Sequence, residues 1–131
     1  RFVDSLAFNY LVGASDGHAK NFSIQHRRGG RFGLTPLYDV LSAWPIIGHG
    51  KNQLAWKDAR LAMAVSGKNR HYHLSNVMRR HFNATAARCG WGDNAEDIIG
   101  EWMTNVVVAG EQRHCGRISE PRLEATLAVL R

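Results

Sequence analysis

Cysteine and long apolar segments are scarce in this sequence. The two cysteines among its 131 residues, Cys89 and Cys115, show none of the paired spacing that marks zinc ribbons or disulfide scaffolds, so we interpret both as ordinary thiols. No apolar run approaches the roughly 20 residues that span a bilayer, and no secretory signal is recognisable. No internal repeat or low-complexity tract occurs. We therefore expect a cytoplasmic domain with no membrane segment.

Acidic residues are few relative to basic ones. The chain carries 17 Lys and Arg against 11 Asp and Glu, a formal charge of +6. This balance favours an anionic partner, which could be nucleotide phosphates, an acidic protein surface or nucleic acid. The basic residues occur in short groups without a tail or long stripe, so a solvated surface explains each group about as well as a binding site does.

The first third of the chain predicts one helix and one hairpin. Apolar residues recur at helical spacing over residues 2–11 and predict a helix that ends near Gly13. Alternating residues over 22–26 and 31–34, on either side of Gly29-Gly30, predict a β-hairpin. The hairpin returns the chain towards the point at which it entered.

The rest of the chain is predicted to be largely helical. A segment over residues 61–65 fits either a helical turn or a short strand, and residues 75–88 predict a helix. Its inward-facing residues are predicted to be Val77, Met78, Phe82 and Ala86. Two more helices follow, one capped by Asn94 and one beginning near Ser119. Together these elements predict a single, mainly α domain with a small β-hairpin, spanning all 131 residues.

Three oxygen-bearing side chains occur in an order that is typical of kinases. Asp16 is followed five residues later by Asn21, and Asp39 comes after the hairpin, as kinase catalytic loops distribute a base and two magnesium ligands. We expect the hairpin to bring Asp39 back beside Asn21. A carboxylate such as Asp16 can take the proton of an attacking hydroxyl, and the other two offer the hard oxygens that magnesium prefers. Lys20 adds a cation near the phosphates, and Gly17 allows a tight turn.

Each of these residues has a structural alternative when taken singly. Asp16-Gly17 is a common turn, and Asp39 would make a good helix N-cap. An Asp and an Asn five residues apart are also a weak match by themselves. The prediction depends on the combination, because no packing requirement places two acids and an amide at these points.

The sequence around these residues resembles a known family. Residues 16–21, DGHAKN, and 34–39, LTPLYD, are specific blocks, and residues 11–45 look like the catalytic core of the HipA-like serine/threonine kinases, the toxins of bacterial toxin-antitoxin pairs. Residues 61–73, LAMAVSGKNRHYH, are similar to the C-terminal lobe of that family. The resemblance therefore implies the C-terminal lobe of a protein-kinase-like fold.

The resemblance also implies roles for individual residues. Asp16 would be the catalytic base, and Asn21 and Asp39 would be the Mg²⁺ ligands. The residues that would line the ATP phosphates are His18, Ala19, Lys20, Asn21, Tyr38 and Asp39. It further implies a protein substrate, which in some members is an aminoacyl-tRNA synthetase, the glutamyl-tRNA synthetase. It also implies an antitoxin partner that binds operator DNA, so that the domain would contact DNA through its complex with the antitoxin.

The chain departs from ordinary eukaryotic protein kinases in three respects. His18 follows the Asp where the usual loop has its His before it, and Val40-Leu41 follow Asp39 where Phe and Gly are usual. Neither a Gly-rich phosphate loop nor a strand Lys is found. A two-lobed kinase needs roughly twice this length, and the chain starts at Arg1, so we expect it to be part of a longer protein and to be inactive, or nearly so, by itself.

Two other functions fit the same residues. Small-molecule phosphotransferases share a base, an Asn and a second Asp at related spacing. A non-catalytic platform that joins an antitoxin and DNA would use the basic surface and leave the kinase-like loop dispensable. Of the three hypotheses, we favour the protein kinase.

Overall fold

The computed structural model describes residues 2–92, 95, 97 and 99–101. In these residues two ten-residue α-helices combine with two antiparallel two-stranded sheets, and residues 97 and 99–101 are helical as well. The described fold is thus mixed α/β, which corrects the prediction of a mainly α domain. Cys115, the predicted cap Asn94 and the predicted helix near Ser119 lie outside the described residues.

Helix α1, Phe2–Leu11, ends where the sequence predicted. The terminal turn is closed by backbone bonds, among them Ala14 N–H to the Asn9 carbonyl at 2.7 Å. Gly13 follows with φ +62°, in the left-handed region that favours glycine. A side chain at this position would also press on the indole of Trp44, 3.0 Å from the site of a Cβ. Position 13 therefore needs glycine both for its backbone and for its packing.

The first hairpin confirms the prediction made from alternation and Gly29-Gly30. Strand β1, Ile24–His26, pairs antiparallel with β2, Phe32–Leu34, in the register Ile24 to Leu34 and His26 to Phe32. Gly29 and Gly30 both have positive φ in the connecting turn. The hairpin brings residue 35 back to residue 23, where Thr35 N–H donates to the Ser23 carbonyl at 2.9 Å.

A second hairpin follows, and it settles the ambiguous segment over residues 61–65 as a strand. Strand β3, Arg60–Ser66, pairs antiparallel with β4, Arg70–His73. The pairing shifts register between Arg60 and Val65. Such an irregularity interrupts the alternation of side chains between the two faces of a sheet.

Helix α2, Arg79–Arg88, is shorter than predicted. Val77, Phe82 and Ala86 are fully buried, as expected, but Met78 is 42% exposed, so its predicted inward position is wrong. Met78 is the N-cap and has extended backbone angles, φ −132° and ψ 159°. Its side chain therefore does not follow the helical periodicity that placed it inside.

The core lies between the two helices and strand β3. Tyr10 of α1 meets Phe82 of α2 edge-on, with ring centroids 5.7 Å apart. Burial raises the pKa of Tyr10 to about 12, and its hydroxyl has no hydrogen-bond partner among the described residues. Among the described residues, no α-helix combines the length and the hydrophobicity that a membrane span requires. The core holds the C-terminal end of α1 in place, and the candidate site begins there.

Candidate active site

The loop that follows α1 rests directly on the helix at Gly17. This glycine is buried, and a Cβ placed on it would collide with the carboxamide of Asn9, whose Cγ lies 2.9 Å from that point. Asn9 is itself buried on α1. The backbone of residue 17 can approach the helix this closely because it carries no side chain.

Asn21 bonds the backbone of Asp16 and the carboxylate of Asp39, the two residues predicted to act with it. It lies in a short 3-10 turn, Ala19–Asn21, and is buried. Its Nδ2 donates to the backbone carbonyl of Asp16 at 3.1 Å and to Oδ2 of Asp39 at 3.2 Å. The expectation that the hairpin returns Asp39 to Asn21 is confirmed. Because Nδ2 meets both oxygens, the amide oxygen of Asn21 is left to accept or to bind a cation.

The neighbour of Asp39 fixes the segment that carries it. The Tyr38 hydroxyl lies 2.8 Å from Oγ of Ser23 and donates to the Lys20 carbonyl over 3.3 Å. Asp39 itself has φ +56°, and no other non-glycine residue in the described part of the chain has a positive φ. Asp is among the few residues that adopt this conformation at low cost, and such backbones are concentrated at functional sites.

A tryptophan clamp, formed by Ala43 and Trp44, ties the chain beyond Asp39 to the end of α1. Ala43 N–H donates to the Gly13 carbonyl at 2.9 Å, and the Trp44 indole donates to the Leu11 carbonyl at 3.0 Å. Trp44 is buried and stacks on Trp56 with ring centroids 5.4 Å apart. The loops before Asp16 and after Asp39 therefore share one anchor. This role was not predicted from the sequence, although Gly13 and Trp44 are the kinds of residue that signal close packing.

Asp16 and His18 form a pair that the sequence analysis did not predict. Nε2 of His18 lies 3.0 Å from Oδ1 of Asp16, and the two side chains are 48% and 55% exposed. The Asp16 carboxylate is thus open to solvent on one side and in contact with a histidine on the other. Ala19 and Lys20 are exposed on the adjoining turn. Contact of His18, Ala19, Lys20 and Tyr38 with phosphates stays a prediction.

The oxygens of this site match the demands of magnesium more closely than those of zinc. No cluster of three or more His, Cys, Asp or Glu side chains suited to a metal occurs among residues 2–92 and the other described positions. In sites that bind magnesium together with a nucleotide, one or two protein carboxylates suffice, because phosphates and water supply the remaining ligands. Asp39 with the amide oxygen of Asn21 fits that pattern.

A comparison with known protein families identifies the family of this chain. Residues 1–110 match the family described as HipA-like C-terminal domain. The chain belongs to this family. The HipA-like C-terminal domain forms part of the HipA kinase toxins, which use ATP and magnesium, so the resemblance drawn from two short sequence blocks is confirmed. The matched range includes Asp16, Asn21 and Asp39.

Proposed function

We propose that this HipA-like domain is the C-terminal catalytic lobe of a serine/threonine protein kinase of a toxin-antitoxin system. The observation that supports this most directly is the position of Asn21, whose amide bonds both the backbone of Asp16 and the carboxylate of Asp39. One side chain therefore sets the spacing between a base and a cation ligand. The carboxylate of Asp39 is thereby held beside the loop that carries Asp16, which is the arrangement that phosphoryl transfer requires of a base and a cation ligand.

Asp39 and Asn21 are the proposed magnesium ligands, through a carboxylate oxygen and the amide oxygen. When bound, magnesium would neutralise the charge that builds up on the phosphates of ATP. The two side chains are already held together at 3.2 Å. The left-handed backbone of Asp39 and the Tyr38 hydroxyl bonds keep the carboxylate beside the amide.

Asp16 is the proposed general base. Its carboxylate accepts the proton of a serine or threonine hydroxyl as that oxygen bonds to the terminal phosphorus, and the bond from phosphorus to the ADP oxygen breaks. The products are a phosphoprotein, ADP and a proton that Asp16 releases to water. More than half of the Asp16 side chain is exposed, so a hydroxyl on another polypeptide can reach it.

The first hairpin offers an apolar surface next to this site. Ile24 and Phe32 are 58% and 73% exposed, and the strand register places them on one face, with Leu34 opposite Ile24. Strand β1 begins three residues after Asn21. We propose that this face contacts the adenine ring of ATP, which packs against apolar side chains, while the phosphates of ATP lie near Asn21.

The family also supplies a biological setting for the proposal. The HipA-like C-terminal domain family implies a toxin-antitoxin context. We propose an antitoxin that binds DNA as its partner, with DNA contact made through the complex, and a protein substrate such as an aminoacyl-tRNA synthetase.

The test is phosphate transfer by the full-length protein that contains this domain. Labelled γ-phosphate of ATP is supplied with magnesium and a lysate whose own kinases have been inactivated by heat. Asp16→Asn should lower transfer to protein by about 10²–10⁴-fold, the usual contribution of a general base, with an unchanged circular dichroism spectrum. Asp58→Asn, at an exposed acid in another 3-10 turn, is the matched control and should leave transfer unchanged.

Two results would contradict the proposal. Full transfer by the Asp16→Asn variant would remove the base from its assigned role. Label recovered in a metabolite, with none in protein, would show that the domain serves a small-molecule phosphotransferase.

A further inference from the structure

The contact between His18 and Asp16 assigns a second residue to the chemistry of the base. Nε2 of His18 lies 3.0 Å from Oδ1 of Asp16, and because a carboxylate can only accept a hydrogen bond, a bond between these atoms requires the hydrogen on Nε2. Building on the proposed function, we propose that His18 is a positioning residue: it holds one oxygen of Asp16 and so presents the other to the substrate hydroxyl.

The backbone around His18 prepares this contact. Its N–H donates to the Asp16 carbonyl at 2.8 Å, and its own carbonyl accepts from the Asn21 N–H at 3.0 Å. Both peptide groups of the residue are therefore fixed before the ring makes any contact. The ring needs to lose little conformational freedom to reach back to Asp16, which lowers the entropic cost of the bond.

The Asp16 carboxylate needs such support because little else restrains it. It is 55% exposed, and among the described residues His18 is the side chain that bonds it. General base catalysis depends on the direction in which the accepting oxygen points, and a displacement of about 1 Å can cost about a hundredfold in rate. Exposed pairs of this kind add little to folding stability. Loss of the contact should therefore affect the rate and leave the fold intact.

This role differs from phosphate binding, which the family resemblance implies for His18, in a way that kinetics can separate. A residue that binds ATP equally well before and during the reaction changes KM and leaves kcat unaltered. A residue that orients the base acts on the chemical step and changes kcat. The geometry favours the second effect, because the ring nitrogen is already engaged with the carboxylate.

The decisive experiment measures apparent kcat and the KM for ATP in the full-length protein, with the same heat-inactivated lysate as acceptor. His18→Phe keeps a ring but removes the donor, and it should lower kcat about tenfold to hundredfold with the KM for ATP changed less than twofold. His18→Gln places an amide N–H within reach of the Nε2 position and should recover most of the loss. His49→Phe, at an exposed histidine outside the site, should match the wild type.

Three outcomes would overturn the assignment while leaving the kinase function in place. These are an unchanged kcat in His18→Phe, a raised KM for ATP with normal kcat, or a Gln variant no more active than the Phe variant. A wild-type protein that transfers no phosphate would instead refute the proposed function. In that case ¹⁵N NMR of labelled histidine still tests the contact: the Nε2 resonance of His18 should shift in Asp16→Ala and stay in place in Asp58→Asn, and an unmoved resonance in Asp16→Ala would show that the contact is absent.

Discussion

Replacement of Gly17 by alanine should destabilise the protein through a single clash with α1. The φ of Gly17 is not positive, so an alanine there meets no backbone strain. Its Cβ would instead overlap the carboxamide of Asn9, which is buried on the helix and cannot turn into solvent. Inserting a methyl group into a packed contact of this kind typically costs about 1–3 kcal/mol.

Urea unfolding of the full chain, followed by tryptophan fluorescence, measures the effect. With a slope of about 2 kcal/mol per M, a loss of about 2 kcal/mol lowers the midpoint by about 1 M. Gly33→Ala is the matched control, because no atom lies within 4 Å of its Cβ position. That variant should stay within about 0.5 kcal/mol of the wild type.

A double mutant tests the cause rather than the size of the loss. Asn9→Ala removes the carboxamide, and Oδ1 of Asn9 has no hydrogen-bond partner among the described residues, so its removal breaks no bond of that oxygen. The Asn9→Ala background should therefore relieve the Gly17→Ala defect, with a coupling of at least about 1 kcal/mol. If the two effects simply add, the clash is not the cause and the reasoning fails.

Two further variants probe the scaffold of the site. Trp44→Phe keeps an aromatic ring but leaves a buried carbonyl at the end of α1 without its donor, which should cost about 1–3 kcal/mol in the free energy of unfolding, whereas Trp91→Phe, at an exposed indole, should change it little. Burial lowers the pKa of His81 below 6.5, and the charges of the neighbouring His71 and Arg80 lower it further. As the pH falls, His81 therefore takes up a proton in the unfolded chain at a higher pH than in the folded chain. The free energy of unfolding should be unaffected by His81 above pH 6.5 and should decrease as the pH falls below 6.5, until the lowered pKa of the folded state is passed. Unfolding curves of His81→Gln between pH 5 and 8 should lose this dependence, and a persistent slope would assign it to another group.

The first hairpin and the meeting of Asn21 with Asp39 were predictable because local chemistry determines them. Two consecutive glycines between alternating segments specify a hairpin, and a hairpin returns the chain to its starting point whatever the rest of the fold does. Asp39 follows the second strand by five residues, so the hairpin was expected to bring it back beside Asn21, which precedes the first strand. The end of α1 at Gly13 was predictable for a similar reason.

The second hairpin was not predictable because its pattern suits two structures. Leu61 and Val65 are the buried residues of β3 and are four apart, a spacing that also places residues on one face of a helix. All five residues over 61–65 are apolar, so the sequence shows no alternation of polar and apolar residues that would have marked a strand. Its partner β4, Arg70–His73, is polar and has no fully buried residue, so hydrophobicity gave no signal there.

The contacts of His18 and Trp44 depend on distances that a sequence does not contain. The ring of His18 reaches Asp16 because two backbone bonds fold the loop around it. Trp44 meets the end of α1 across 33 positions of chain. The family resemblance implied phosphate contact for His18, and nothing in the sequence indicated a partner for Trp44.

The left-handed backbone at Asp39 has an evolutionary consequence. The residues that enter this conformation most easily are Gly, Asn and Asp, so the two replacements best tolerated by the fold both remove the charge that a magnesium ion would meet. If Asp39 binds magnesium as proposed, its exchange for Asn or Gly would leave the fold intact and remove that ligand. Under the proposed function, a single nucleotide change separates an active kinase from a folded protein without catalysis.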